Sequence, residues 1–346
     1  MKALRKTEMG AGHVEVQDVP EPTPGPGQVK IKVMRAGLCG SDVHEIHGYA
    51  AIKLNVPVTM GHECIGQIVE LGEGVTGYEV GQKVTSEVGF HVCGTCDFCV
   101  EGYYNICIER QAMGYFHNGV FAEYVVVPAR NLVAVPDSVD WVSGALIEPL
   151  ACVCHMCYDM TRIESGDLVL VTGPGPIGIM AMQVAKSFGA TVIVTGIDQD
   201  ANRLAKAKEL GADYVFNVDR EDPRPTVDEL SGGYGVDVVL ECSGSEDAIN
   251  QGLALCKKRG QFCQFGLGDA VISFNIEAVV YKEITITASM ASRKANWRKA
   301  AQLIERGVVN AKAVAADGYA LNDWQRAVEV FDGKQSFKLL FDPSLA

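Results

Sequence analysis

Two hydrophobic rhythms divide the chain. From Val14 to about Val127, short apolar runs alternate with turns: QVKIKVM at 28–34, CIGQIVELG at 64–72, QKVTSEV at 82–88 and FAEYVVVP at 121–128. Gly and Pro punctuate them, most densely in PEPTPGPGQ at 20–28, so this part reads as a β-rich sandwich or barrel. After about residue 150 the runs become compact and β-branched: LVLVTG (168–173), TVIVTGID (191–198), YVFNV (214–218), VDVVLECSG (236–244), QFCQFGLG (261–268) and ITITASM (284–290). Helical patterns such as IGIMAMQVAKSFG (177–189) and ANRLAKAKELG (201–211) lie between most of them. That alternation predicts a parallel sheet with helices on both faces. A last helix over 296–307 precedes a mixed tail, and its Arg298, Lys299, Glu305 and Arg306 read as a solvated face.

Length and composition narrow the function. At 346 residues the chain suits two domains, and 48% hydrophobic against 21% charged residues supports sizeable cores. A net charge of −13 is a poor match to nucleic acid or an anionic membrane. The first residues carry no apolar run of the secretory type, and the long uncharged window 168–185 is broken by glycines and prolines, so neither a signal nor a membrane span is expected. The expected setting is a reducing cytoplasm, where the 12 cysteines serve metal binding or packing before disulfides.

Gly173-Pro-Gly175-Pro176-Ile177-Gly178 falls where a strand gives way to a helix. Small residues there let the backbone approach a pyrophosphate, and the helix start supplies free N–H donors. Asp198, at the end of the second strand, is placed to accept hydrogen bonds from the adenosine ribose and to repel a 2′-phosphate, which favours NAD over NADP. The competing reading makes the glycines a simple tight turn and Asp198 a helix cap. Cys93, Cys96, Cys99 and Cys107 form a C-x2-C-x2-C-x7-C pattern able to close a tetrahedral zinc shell, a structural site by its own chemistry. Redox or disulfide chemistry is the alternative for these four.

Cys39 in AGLCGSD, His62-Glu63 in MGHEC and Glu148 in ALIEPL are each weak alone. Together with AGLCGSDVH at 36–44, GHE at 61–63, the four-cysteine loop, GVFAEYVVVP at 119–128, ALIEPL at 145–150, GPGPIG at 173–178 and RLAKAKELGAD at 203–213, the chain resembles the zinc-containing medium-chain alcohol and polyol dehydrogenases. It is most similar to their sorbitol and L-threonine 3-dehydrogenase branch.

That resemblance implies a GroES-like β-rich catalytic domain over 1–150, a Rossmann doubly wound NAD-binding domain over 151–290, a return to the first domain over 291–346, and a cleft between the two domains. It implies NAD and two zinc ions per chain. Cys39, His62 and a carboxylate would hold the catalytic zinc, and both Glu63 and Glu148 remain open for that place. Ser41 matches the hydroxyl that takes the substrate's proton, with His44 as a further relay group. Arg203, Ser243, Gly266 and Leu267 join the glycine-rich turn as expected cofactor contacts, and Arg293 and Asn296 resemble residues near the substrate. The implied reaction is reversible oxidation of a secondary alcohol, of a polyol first, with L-threonine, 2,3-butanediol or a phosphorylated polyol as alternatives. The family usually forms homodimers or homotetramers. A non-catalytic NAD-binding protein is the rival from another class, and the intact zinc residues argue against it.

Other clusters read as packing. Cys152, Cys154, His155 and Cys157 sit in an expected connecting helix, where no second cluster completes a metal shell. Cys64, Cys242, Cys256 and Cys263 lie in core patterns. His44 and His47 read as a loop histidine beside Cys39 and an exposed one.

Overall fold

The computed structural model describes residues 1–49, 53–268, 271–334 and 336–345. It separates into two compact units, one of residues 1–151, 292–306 and 311–346, the other of residues 152–291 and 307–310.

In the second unit the β-branched run LVLVT forms the strand Leu168–Thr172, entirely buried. It pairs in parallel with Thr191–Gly196 on one side and Val236–Glu241 on the other. Outward from these lie Tyr214–Asn217, Cys256–Gln264 and the edge strand Thr285–Ala288, all parallel. Numbered along the chain, the six run 3-2-1-4-5-6, the doubly wound dinucleotide-binding order, which reverses direction beside the first strand. Near-continuous apolar runs follow from this, because a parallel sheet covered on both faces offers no solvated side. Ile193, Leu170, Val239, Leu253 and Phe262 share one of its cores.

The first unit is built on antiparallel strands. Gln28–Gly37 and Glu63–Leu71 pair along most of their length, flanked by Lys83–Ser86 and Leu132–Ala134 on one side and by Lys338–Phe341 and Ala315–Tyr319 on the other. Tyr124–Pro128 also pairs with Gln28–Gly37, and a separate three-stranded sheet holds Lys2–Lys6. Leu4, Ile31, Ile68, Phe121 and Phe341 lie in the shared core. The strand Lys338–Phe341 brings the C-terminal segment into this sheet, with Leu340 opposite Gly37.

The helix Ile147–Cys154 spans the boundary between the units in sequence and runs on as a wider π-helical turn, His155–Met160. Among the described residues no helix is long and apolar enough to cross a membrane.

Candidate metal centres and dinucleotide site

Strand register assembles the first candidate metal centre. Gly37 stands opposite Glu63 in the ladder, so Cys39, just past the end of one strand, meets His62 and Glu63 at the start of the other. Donor atoms of Cys39, His62 and Glu63 lie within 4.8 Å of one another. Gly37 has to lack a side chain: a Cβ there would sit 2.2 Å from Glu63 Oε2.

The donors are held from behind. Glu63 is fully buried and its Oε1 accepts from Lys338 Nζ at 2.5 Å, while Oε2 is buried without a partner among the described residues. Lys338 also donates to the Leu38 carbonyl at 3.1 Å. Burial works to strip the charge from Lys338, but Glu63, with Cys39 and Glu148, outweighs it and keeps the ammonium protonated. Asp42 Oδ2 accepts from the Cys39 N–H at 2.9 Å, and its Oδ1 stands 3.6 Å from the buried His62 Nδ1, which has no hydrogen bond of its own. Burial alone would push the imidazole pKa down; Tyr115 and Asp42 reverse this and carry it well above the usual value. A field that favours a proton on His62 also favours a cation beside it.

Two buried unpartnered donor atoms, a thiol and a negative local field fit a zinc ion. Cys39, His62 and Glu63 would hold it. Glu148 is buried and near enough to act on Lys338, yet falls outside the set whose donor atoms converge.

Ser41 and His44 lie on the short helix Gly40–His47, so His44 is helical, not a loop residue as expected. His47 is exposed and pairs with Asp332 at 3.0 Å. Tyr115 went unnoticed in the sequence. It is buried, its ring centroid lies 5.7 Å from that of His62, and its phenol shares a hydrogen bond with Ser41. Nothing in its local sequence, MGYFH, marks it.

The four-cysteine lobe forms the second candidate metal centre. Sulfur separations of 3.5 Å (Cys93–Cys107), 3.9 Å (Cys93–Cys99) and 4.0 Å (Cys96–Cys107) bracket the edge of about 3.8 Å expected for a tetrahedron with metal–sulfur bonds of about 2.3 Å. Backbone N–H groups of Cys96 and Glu109 point at the sulfurs of Cys93 and Cys107. N–H donors of Thr95 and Cys96 draw the Cys93 thiol down to about 6. Cys93, Cys96, Cys99 and Cys107 form no disulfide, so the disulfide alternative has no counterpart in the structure. The residues fit a closed zinc shell.

Arg293 and Asn296, expected near the substrate, meet at a helix start beside the cysteine lobe. Asn296 is buried and its side chain accepts from the Arg293 N–H at 2.9 Å at the start of the helix Lys294–Glu305, while the Arg293 guanidinium lies 5.0 Å over the ring of Tyr103 in the cysteine lobe.

In the second unit the glycine-rich turn joins Leu168–Thr172 to the helix Pro176–Ser187, with Pro176 and Ile177 as its first residues. Gly173 adopts φ +86°, and a Cβ on Gly178 would lie 2.0 Å from the Gly173 carbonyl oxygen, so the turn closes only with glycine. At Gly175 a Cβ would meet nothing within 4 Å, which leaves an open cradle at the helix start. The neighbouring turns crowd in: a Cβ on Gly173 would strike Ser243, one on Gly266 would strike Gly244, and one on Gly244 would strike Leu267.

Glu241, a second residue the sequence did not single out, ties these turns together. Fully buried at the end of its strand, it accepts from the N–H groups of Ser243 and Gly244, the Thr172 and Ser243 hydroxyls and the Gln264 amide.

Asp198 lies two residues past the end of its strand and opens a short 3₁₀ turn, Asp198–Asp200. Asp200, not Asp198, works at that helix start, accepting from the Ile197 N–H at 3.3 Å and pairing with Arg203. The carboxylate of Asp198 is thereby left for other partners.

The remaining cysteines are packing residues. Burial pushes the Cys64 thiol up to about 12 and Cys256 up to about 11, and raises Cys157, Cys242 and Cys263. Cys152 and Cys154 are buried, and the buried His155 is paired with Asp159 at 2.8 Å. Among the described residues this group does not converge as metal donors.

Comparison with known proteins finds two family domains along the chain. Residues 25–137 match the alcohol dehydrogenase GroES-like domain, and residues 176–306 match the zinc-binding dehydrogenase domain. A sorbitol dehydrogenase of Halalkalibacterium halodurans is 47% identical over 344 residues, 99% of each chain. A D-arabitol-phosphate dehydrogenase of Enterococcus avium is 38% identical, covering 97% of this chain and 96% of its own. An alcohol dehydrogenase of Escherichia coli CFT073, solved with NADH, superposes with a TM-score of 0.88 at 27% identity over 99% of both chains. The chain therefore belongs to the zinc-binding alcohol dehydrogenases, oxidoreductases that use zinc and NAD(P).

Proposed function

We propose that the protein oxidises a secondary alcohol of a polyol to the ketone, reversibly, with NAD as hydride acceptor. The observation that carries this reading is the trio Cys39, His62 and Glu63, whose His62 Nδ1 and Glu63 Oε2 are buried and unpartnered. Three protein donors leave a place for an oxygen of the substrate, whereas the four thiols of the lobe leave none. A bound zinc there acts as a Lewis acid that eases loss of the hydroxyl proton.

The chain's own groups do the rest. The Ser41 hydroxyl, hydrogen-bonded to Tyr115, is placed to receive that proton, and His44 on the same helix extends the route. Asp42 backs His62, and Lys338 fixes one oxygen of Glu63 so that the other faces the donor set. The Gly173–Gly178 turn would hold the pyrophosphate of a dinucleotide and Asp198 its adenosine ribose, and that cofactor would supply the hydride acceptor. Two zinc ions per chain follow, one in each cysteine-containing centre. Identity to a sorbitol and a D-arabitol-phosphate dehydrogenase supports a polyol, free or phosphorylated.

A homo-oligomer completes the reading. The strand Thr285–Ala288 is an open edge, and Ile286, Met290, Val280 and Tyr281 are exposed beside it. Such an apolar edge is covered in the working protein, and a second copy can extend the sheet. A reducing, cytoplasmic setting suits twelve free cysteines.

The test follows NADH absorbance of the zinc-loaded protein with sorbitol, arabitol and their phosphates, 2,3-butanediol, L-threonine and primary alcohols. Highest kcat/KM on a free or phosphorylated polyol is expected. Best turnover of L-threonine or butanediol would move the substrate class, and no turnover with both zincs bound would favour a non-catalytic NAD-binding protein.

A further inference from the structure

The carboxylate of Asp198 carries a partner that its sequence neighbourhood does not reveal. Its Oδ1 accepts from Arg220 Nε at 2.6 Å and from Asn217 Nδ2 at 2.7 Å. Its own N–H donates to Asp219 Oδ2 at 2.8 Å. Strand register explains the meeting. Asn217 ends the strand Tyr214–Asn217 opposite Gly196, and the turn that follows, with Arg220 and Glu221 N–H groups bonded to the Asn217 carbonyl, brings Arg220 back over Asp198.

The pair is solvent-facing, with 73% of the Arg220 side chain and 53% of the Asp198 side chain exposed. Only Nε of Arg220 is engaged in a hydrogen bond among the described residues, and Oδ2 of Asp198 is open. The contact draws the Asp198 carboxyl below and the Arg220 guanidinium above their ordinary ranges.

A lone carboxylate at the adenosine ribose rejects a 2′-phosphate by charge repulsion, because that group brings about −1.5 to −2 at neutral pH. Here a guanidinium in direct contact cancels much of that charge and holds its terminal N–H groups free. A planar guanidinium pairs with phosphate through two parallel hydrogen bonds. We propose that Arg220 sets the chain's discrimination between NAD and NADP: it weakens the barrier raised by Asp198 and supplies the donors that receive a 2′-phosphate. Asp198 still takes the ribose hydroxyls through its open oxygen, so NAD remains the better ligand by a modest margin. The inference rests on the proposed seat of the dinucleotide at the glycine-rich turn.

The test titrates the full-length zinc-loaded protein with ADP-ribose and with 2′-phospho-ADP-ribose by calorimetry at physiological salt, so that no turnover is needed. The readout is the ratio of the two dissociation constants. Arg220→Gln should widen that ratio about tenfold against the phosphorylated ligand, the size of one lost charge-assisted contact. Arg220→Lys, which keeps the charge and loses the fork, should fall between Gln and the parent. Asp198→Asn should narrow or invert the ratio, and adding Arg220→Gln should remove that gain. An unchanged ratio in Arg220→Gln, with a thermal melt matching the parent, would overturn the proposal and leave the NAD reading standing. Failure of the parent protein to bind either ligand would remove both.

Discussion

Lys338 illustrates how much one side chain decides at the metal centre. It reaches Glu63 across 275 positions of sequence and ties one oxygen, leaving the second as a donor. Without metal, Lys338 is the partner that balances that buried carboxylate, so Lys338→Met strands a charge in the interior. A loss of about 3 kcal/mol is expected in the metal-free protein, because breaking a buried pair leaves its other member uncompensated. With zinc bound the carboxylate has a second positive neighbour, and the loss should shrink. Thermal melts of the variant with zinc and with chelator measure both, and equal losses would detach Lys338 from metal binding. Neither Lys338 nor Tyr115 was legible in the sequence, since each acquires its role only from strand pairing and packing. Cys39, His62 and Glu63 were legible because short motifs carry them, whereas the convergence of their donor atoms, without Glu148, comes only from strand register.

At the scale of elements, the six parallel strands were legible from their β-branched runs, each recovered within a few residues at most boundaries. Cys256–Gln264 begins five positions before the expected run at 261, because its first residues, CKKRG, are polar and pair past an irregularity between Val236 and Val238. Asp198 shows where pattern reading stops: which of two nearby acids serves the helix start depends on the 3₁₀ turn, and Asp200 takes that task.

Caps also carry a pH signature. Asp140 precedes the helix Trp141–Ala145 and accepts from the N–H groups of Val142 and Ser143 and from the Ser143 hydroxyl. Burial works to raise its pKa, but these hydrogen bonds outweigh it and hold the carboxyl below its usual range. A folded pKa below the unfolded value of about 3.9 means that the stabilisation is complete above that value and fades as pH falls through the folded pKa. Asp140→Ala should cost about 1 kcal/mol at neutral pH, with the gap to the parent closing in acid. Urea midpoints taken across a pH series read this, and a gap of constant size would contradict it.

On the scale of the whole molecule, the strand Thr285–Ala288 is an outermost edge with apolar residues exposed around it. Val271 is 97% exposed and Tyr281 76%, in the same stretch as the edge strand. If a second copy covers this stretch, Ile286→Glu should convert the assembly to smaller species in sizing and light-scattering measurements while the melt of each unit is retained. An unchanged mass would place the subunit contact elsewhere. Composition could not have revealed this surface, because isolated apolar residues on a solvated segment look like core until the sheet order shows which strand lies outermost.

The late arrival of Lys338–Phe341 in the first unit sets an order of events during synthesis. Cys39, His62 and Glu63 leave the ribosome early, but their sheet gains the strand beside Gln28–Gly37 only after all of residues 152–291 have been made. Until then the Glu63 carboxylate lacks the ammonium that orients it. The four-cysteine lobe, by contrast, draws all its donors from one stretch between Cys93 and Cys107. If both centres take zinc as proposed, loading is staged by the path of the chain: the lobe can close on the nascent protein, and the Cys39–His62–Glu63 centre matures last.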